Sequence, residues 1–296
     1  MATIRRYCTV LFIALALLLP QAASAAETVL EPADKWVLSY AEDSCRLARA
    51  FGKDAGRVVL VLDQFQPEGA MDVSLVGKRF GHSPLSRTGL TVTFGPGLPK
   101  GELREALLGT LGPDKTTIIM AGPRDLFNRT SKRASDDQSD AISNTTPEQE
   151  AAITEVSFTT STMRLALKTG SMKAPLDAMR TCMTDLVKTW GLDPVQQAAL
   201  SARATATTKP GLWLRPEDYP SGPLFFGASA IVRFRMMVGA DGVPTQCFIQ
   251  QATNSPEFIK LTCDLLMKRA RFSPARDRVG KPVASYYTNS VRWLAP

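Results

Sequence analysis

Histidine is nearly absent from this chain: His82 is the single one among 296 residues. That scarcity removes the side chain most used as general base, proton relay and metal ligand near neutral pH. His82 lies in Gly81-His82-Ser83-Pro84, a turn sequence. Ser-His-Asp chemistry needs a base oriented by a carboxylate and a nucleophile in a defined setting. No G-x-S-x-G turn supplies that setting, and there is no phosphate-cradling glycine loop or H-E-x-x-H pair. C-x-x-C is missing as well, which removes the usual zinc spacing. The adjacent carboxylates Asp136-Asp137 fall in a polar tract, where they are expected to be solvated. The expectation is a protein with no catalytic residues, no metal and no cofactor.

Long apolar runs are also lacking. The best is Thr9 to Leu19, which Pro20 ends. It is much shorter than the roughly 20 residues a spanning helix needs. Arg5 and Arg6 precede it and Ala23-Ser24-Ala25 follows, the three parts of a secretory signal with cleavage expected after Ala25. No membrane span is expected after cleavage, and the remaining 296 − 25 = 271 residues suit two modest domains. Loss of two arginines takes the net charge from +7 to 7 − 2 = +5. No basic stripe interleaved with aromatics stands out, so nucleic acid is not an expected partner. A basic surface near an anionic envelope is the expected consequence.

What the mature segment does have is an even set of cysteines: Cys45, Cys182, Cys247 and Cys263. In an exported chain these favour disulfides over free thiols. Three pairings are possible. Sequence proximity and the domain split favour Cys45–Cys182 and Cys247–Cys263.

The fold class expected is α+β. Residues 26–205 form a mostly antiparallel β domain with a C-terminal helical segment. Trp36, Leu38 and Tyr40 alternate with Val37 and Ser39, and Arg57 to Phe65, Val73 to Val76, Leu90 to Phe94 and Thr116 to Met120 continue as strands between turn formers. A small sandwich or half-barrel would result. Residues 124–152 are polar and nearly free of aromatics, so a long mobile loop is expected there before a returning strand at Ile153 to Phe158. Helices are expected within 175–203. Leu176, Met179, Met183, Leu186, Val187 and Trp190 make one apolar face, Gly191 ends the first helix, and Asp193-Pro194 starts a second through about Arg203. Residues 206–222 crowd Pro and Gly into a linker.

Residues 223–296 show β-β-α-β order. Val232, Phe234, Met236 and Val238 alternate with Arg233, Arg235 and Met237, Gly239-Ala240-Asp241-Gly242 makes a hairpin, and a second strand runs through Cys247 and Ile249. A helix carrying Phe258, Leu261, Leu265 and Leu266 follows, then a last strand to Trp293. This order resembles the TonB C-terminal domain family. The resemblance rests on Tyr219-Pro220, the stretch from Val232 to Gly242, Ala270-Arg271-Phe272-Ser273-Pro274-Ala275 and Gly280-Lys281-Pro282-Val283. Cys247 and Cys263 look like the staple of a disulfide-bearing subgroup. Two departures stand out. Ala252-Thr253-Asn254 replaces the Ser-Ser-Gly frequent at helix entry, and the chain lacks the anchor and long proline-rich spacer of an energy transducer.

The resemblance implies a periplasmic protein-binding module. In that family the edge of a small sheet pairs with extended peptides of outer-membrane receptors, which is strand addition. Tyr286, Asn289, Val291 and Trp293 on the last strand are the expected partner-facing side chains, with core packing as the competing role for half of them. Arg233 and Arg235 are expected either to meet acidic partners or to solvate the outer face. The expected partners are envelope proteins, outer-membrane receptors among them, and the role one accessory to TonB-dependent transport. A disulfide-stabilised accessory envelope protein without a transport role, or an unrecognised hydrolase, are the alternatives.

Overall fold

The computed structural model describes residues 26–81, 86–96, 98–124, 145–225, 227–253 and 256–295. His82, the expected signal at 1–25, Asp136-Asp137 and most of the expected loop at 124–152 lie outside the described residues.

The N-terminal strands are β1 (Thr28–Leu30), β2 (Val37–Tyr40), β3 (Cys45–Phe51), β4 (Val58–Gln64), β5 (Met71–Val76), β6 (Ser86–Gly95), β7 (Leu103–Leu111), β8 (Thr116–Arg124), β9 (Glu155–Thr159) and β10 (Arg164–Leu167). They form one sheet in the order β1-β10-β9-β6-β7-β8-β5-β4-β3-β2. Its pairings are antiparallel except β1 with β10. Alternation explains the strands: Val58, Leu60 and Leu62 are fully buried while Val59 and Val61 between them are half-buried. The inward sets of the neighbouring strands meet in one core with Leu47, Val73, Leu90, Phe94, Val156 and Phe158.

A single stretch of chain joins the two ends of this strand order. Residues 28–30 pair with β10, Pro32 bridges Phe51, and β2 then pairs with β3. The sheet therefore curls closed there, where a small sandwich or half-barrel was expected. The helix α2 (Lys173–Thr189) packs across β2 and β3 and contributes Leu176, Met179, Met183 and Leu186 to the core. Cys182 on α2 is bonded to Cys45 at the start of β3, with Cα atoms 6.1 Å apart.

Two segments depart from expectation. Within the expected loop, α1 (Pro147–Ala152) forms on a capping box in which Gln149 N–H donates to Thr146 Oγ1 and Thr146 N–H to Gln149 Oε1. Its Glu150 is buried and accepts two bonds from Arg180 on α2, at 2.7 and 2.9 Å. The polar composition concealed a helix that tertiary ion pairing holds in place. The second expected helix is short, α3 (Pro194–Ala198), with Asp193 as its cap. The chain beyond it is drawn into pairing instead: Ser201 N–H donates to the Arg276 carbonyl, and Ala202 bridges Arg276.

The C-terminal part begins with β11 (Thr205–Ala206) and α4 (Ser221–Phe225), between which short 3-10 turns occupy the expected linker. That linker is packed. Trp213 is 2 % exposed in the second core, against Phe272 and Tyr287, and Asp218 holds Arg269 through a bidentate pair. Then come β12 (Ala230–Val238), β13 (Pro244–Ala252), α5 (Pro256–Arg269), β14 (Phe272–Ser273), β15 (Ala275–Arg276), β16 (Pro282–Val283) and β17 (Ser285–Trp293). A three-stranded antiparallel sheet, β13-β12-β17, carries α5 on one face, and Cys247 on β13 is bonded to Cys263 on α5. The whole is α+β, with strands dominant.

Gly242 in the β12–β13 turn has φ 80°. A Cβ placed there would lie 2.1 Å from the Phe272 carbonyl oxygen, whose own N–H donates to Gly242 O at 3.0 Å. Gly242→Ala should therefore cost about 1–3 kcal/mol in backbone strain alone, with the clash in addition. Chemical denaturation would measure it, and an unchanged midpoint would contradict this account of the turn.

Candidate functional site

The three-stranded sheet has two differently used faces. Toward α5 point Val232, Phe234, Met236 and Val238 of β12, and opposite them Val291, Asn289, Tyr287 and Ser285 of β17. The other face carries Arg233, Arg235 and Met237 with Ser290, Thr288 and Tyr286. The centre of that second face, at Arg235, Met237, Tyr286 and Thr288, is buried. It is laid on the outside of the N-terminal sheet, around Asp43, Phe65, Asp72 and Trp190.

The expected site residues can now be placed one by one. Arg233 makes an ion pair with Asp72 at 2.7 Å and lies over the Phe65 ring at 4.5 Å. Arg235, with a side chain 3 % exposed, is 2.9 Å from Asp43 and is sandwiched between Trp190 at 4.0 Å and Phe248 at 4.4 Å. Both arginines are engaged within the chain, with side chains 14 % and 3 % exposed. Tyr286 is buried edge-on against Trp190, with ring centroids 5.0 Å apart. Asn289 is buried on the opposite face and its Nδ2 donates to the Tyr287 hydroxyl at 2.8 Å. Val291 is half-buried between both C-terminal clusters. Trp293 is buried on Phe258 and Tyr219, and its indole N–H donates to Thr262 Oγ1 at 2.9 Å.

These side chains thus pack within the chain itself, the role that competes with a partner-facing one. The physical reason is that β17 is covered on both faces. Period-two alternation separates two sets of side chains but cannot say that the second set also has a cover. The residues that reading missed are Asp43, Asp72, Phe65, Trp190 and Gln250, whose Nε2 donates to the carbonyls of Asp43 and Phe65 at 3.1 and 2.8 Å. One signal was present: two arginines alternating inside an apolar strand ask for acids, and no acid stands in β13 or β17 opposite them.

Burial dominates the electrostatics of this contact. It raises the Asp72 carboxyl above its ordinary value, against the opposing pull of Arg233, and does the same to Asp43 against Arg235. It pushes Arg235 down to about 10, so the guanidinium is still charged at neutral pH.

What β17 offers beyond its side chains is its outer edge. Among the described residues its one strand neighbour in the sheet is β12, with which it pairs residue for residue from Ala230↔Trp293 to Val238↔Ser285 without a shift. The opposite edge strand, β13, begins with Pro244 and has two breaks in register. Proline and bulges are the devices by which proteins blunt an edge against pairing. β17 has neither. Side chains reach its first half: Gln197 Nε2 donates to the Ala284 carbonyl at 3.0 Å, Gln197 Oε1 accepts from Ser285 Oγ at 2.6 Å, and Thr288 bonds Gln66. A narrow crevice lies beside it, lined by Gln66, Gln197, Leu200, Arg203 and residues 285–288. Val291 to Trp293 lie beyond these contacts.

No family model, no curated protein and no solved structure matches this chain. Function must therefore be drawn from its own geometry. Among the described residues no helix is long and apolar enough to cross a membrane.

Proposed function

We propose that this chain is a periplasmic, TonB-like protein-binding module that takes up an extended peptide segment of an envelope protein by strand addition along β17. The observation that carries the reading is that the nine-residue β17 pairs with β12 without a shift and contains no proline, whereas β13 begins with a proline and has two breaks in register. Backbone hydrogen bonds would supply the affinity, since the side chains of β17 are engaged internally. The incoming strand would seat first at Val291–Trp293 and extend toward Ser285 by displacing the Gln66 and Gln197 side chains. Export is supported by the signal-like N-terminus and by the paired cysteines. Periplasm-facing segments of outer-membrane receptors are the proposed ligands, which makes the module accessory to TonB-dependent transport.

The burial of Arg233, Arg235 and Tyr286 against the N-terminal sheet favours one other reading, a rigid accessory envelope protein without a receptor ligand. A peptide series separates the two. Labelled extended receptor segments are titrated into the chain beginning at Ala26, and each peptide is then N-methylated at successive residues. Strand addition predicts alternation: methylation is tolerated where the N–H points away and abolishes binding at the next residue, where it points to β17. Uniform tolerance, or no binding of any receptor segment to folded protein, would refute the proposal.

A further inference from the structure

We propose that the β15–β16 hairpin and the adjoining end of α5 form a contact for an anionic phospholipid surface, with Val279 at its tip. Lys268, Arg271, Arg276, Arg278 and Lys281 are all exposed. None of them is in an ion pair among the described residues, in contrast to the neighbouring Arg269, which Asp218 holds. Arg271 and Arg276 do donate hydrogen bonds, but to neutral carbonyls: Arg271 to those of Lys268 and Ala270, Arg276 to that of Gly280 at 2.8 Å. Their charge is left uncompensated. The only carboxylates between residues 268 and 281 reduce to Asp277. It is turned into the hairpin, where Oδ1 accepts from the N–H groups of Val279 and Lys281 at 3.0 and 2.9 Å. Lys268 also complements the C-terminal end of α5, and Arg271 does so through the Lys268 carbonyl, a local role that Arg276, Arg278 and Lys281 do not share.

The tip is apolar where turn chemistry would favour polar residues. Val279 is 87 % exposed, between Arg278 and Gly280. The hairpin holding it is preformed. Asp277 N–H donates to the Lys281 carbonyl and Gly280 N–H to that of Asp277, both at 3.0 Å, while Arg276 is bridged to Ala202. Little ordering is therefore needed on docking. An exposed aliphatic apex ringed by cations matches a membrane interface, where the apex enters the headgroup boundary and the cations stay with the phosphates. An acidic protein surface would satisfy the cations but offers no layer for the valine. This contact is separate from the β17 edge, and each proposal can fail without the other.

The test is sedimentation of the chain beginning at Ala26 with vesicles of phosphatidylcholine alone or with phosphatidylglycerol as a third of the lipid. Binding should need the phosphatidylglycerol and fall as salt is raised. At about fivefold per cation lost, the double variant Arg278→Glu, Lys281→Glu should bind at least about twentyfold more weakly. Both residues are exposed, and unchanged circular dichroism would show the variant folded. Val279→Trp should give a blue-shifted emission on phosphatidylglycerol vesicles only. No binding to those vesicles, equal binding to both kinds, or full binding by the double variant would overturn the proposal. So would a soluble polyglutamate peptide that binds the hairpin cations while vesicles do not.

Discussion

Replacing Cys45 and Cys182 together by alanine is expected to lower the stability of the chain by about 5 kcal/mol. The bond spans 137 residues of sequence, so in the unfolded chain it closes a very long loop. In the chain-entropy account, closure of a loop that long is worth about 5 kcal/mol, against about 3 kcal/mol for a loop of the size closed by Cys247 and Cys263, 16 residues apart. The native contacts add to the expectation. Both sulfurs are fully buried, and Cys182 lies on the helix whose Met179, Met183 and Leu186 complete the core where β2 and β3 meet α2. Urea denaturation of the double-alanine chain and of the corresponding Cys247/Cys263 variant would measure both effects. The ordering matters more than either figure. A smaller loss for the long bridge than for the short one would mean that α2 is held by packing alone.

Arg235→Ala should be the most damaging single substitution in the contact between the two sheets, at about 3–5 kcal/mol. It removes a guanidinium stacked between Trp190 and Phe248 and leaves the Asp43 carboxylate, 15 % exposed, without its counter-charge. A buried charge that loses its partner is costly, whereas replacing both charges by apolar groups of similar volume is often neutral. Arg235→Met combined with Asp43→Leu is therefore expected to recover most of the loss. If the combined variant is no better than Arg235→Ala, the guanidinium is held by its ring contacts and not by Asp43. Because Arg235 joins the two sheets, Arg235→Ala should also separate their unfolding into two steps, visible as probe-dependent denaturation curves. Coincident curves in the variant would show that the two parts remain coupled by other contacts.

Much of the architecture was legible from pattern. The strands around Val58, Val73 and Leu90, the helix ending at Gly191 and the four longest C-terminal elements, β12, β13, α5 and β17, announce themselves through period two, period 3.6 and turn residues, while the short β14, β15 and β16 do not. The strands β7 and β10 were not foreseen. In β7, Leu107 and Leu108 stand beside Gly109 and Thr110, and the burial pattern alternates weakly. The returning β10 has only four residues. Both are strands because neighbours on each side supply their hydrogen bonds. The capping box at Thr146 and Gln149 was written in the sequence but lay in a composition that suggested a loop. Trp213 shows the converse. Its proline- and glycine-rich surroundings look like a linker, yet its indole fills the C-terminal core.

The candidate site divides along the same line. By itself the sequence determined that β12 and β17 would each carry two distinct faces, that the cysteines would pair, and that histidine-centred chemistry had little to work with, because those properties depend on residue type and local spacing. Only the tertiary structure decided that Arg233, Arg235 and Tyr286 point into the chain's own N-terminal sheet and that β17 pairs with β12 without a shift while β13 does not. A strand's periodicity specifies which side chains share a face. What covers that face, and which backbone edge is left over, depends on residues more than a hundred positions away, such as Asp43 and Asp72.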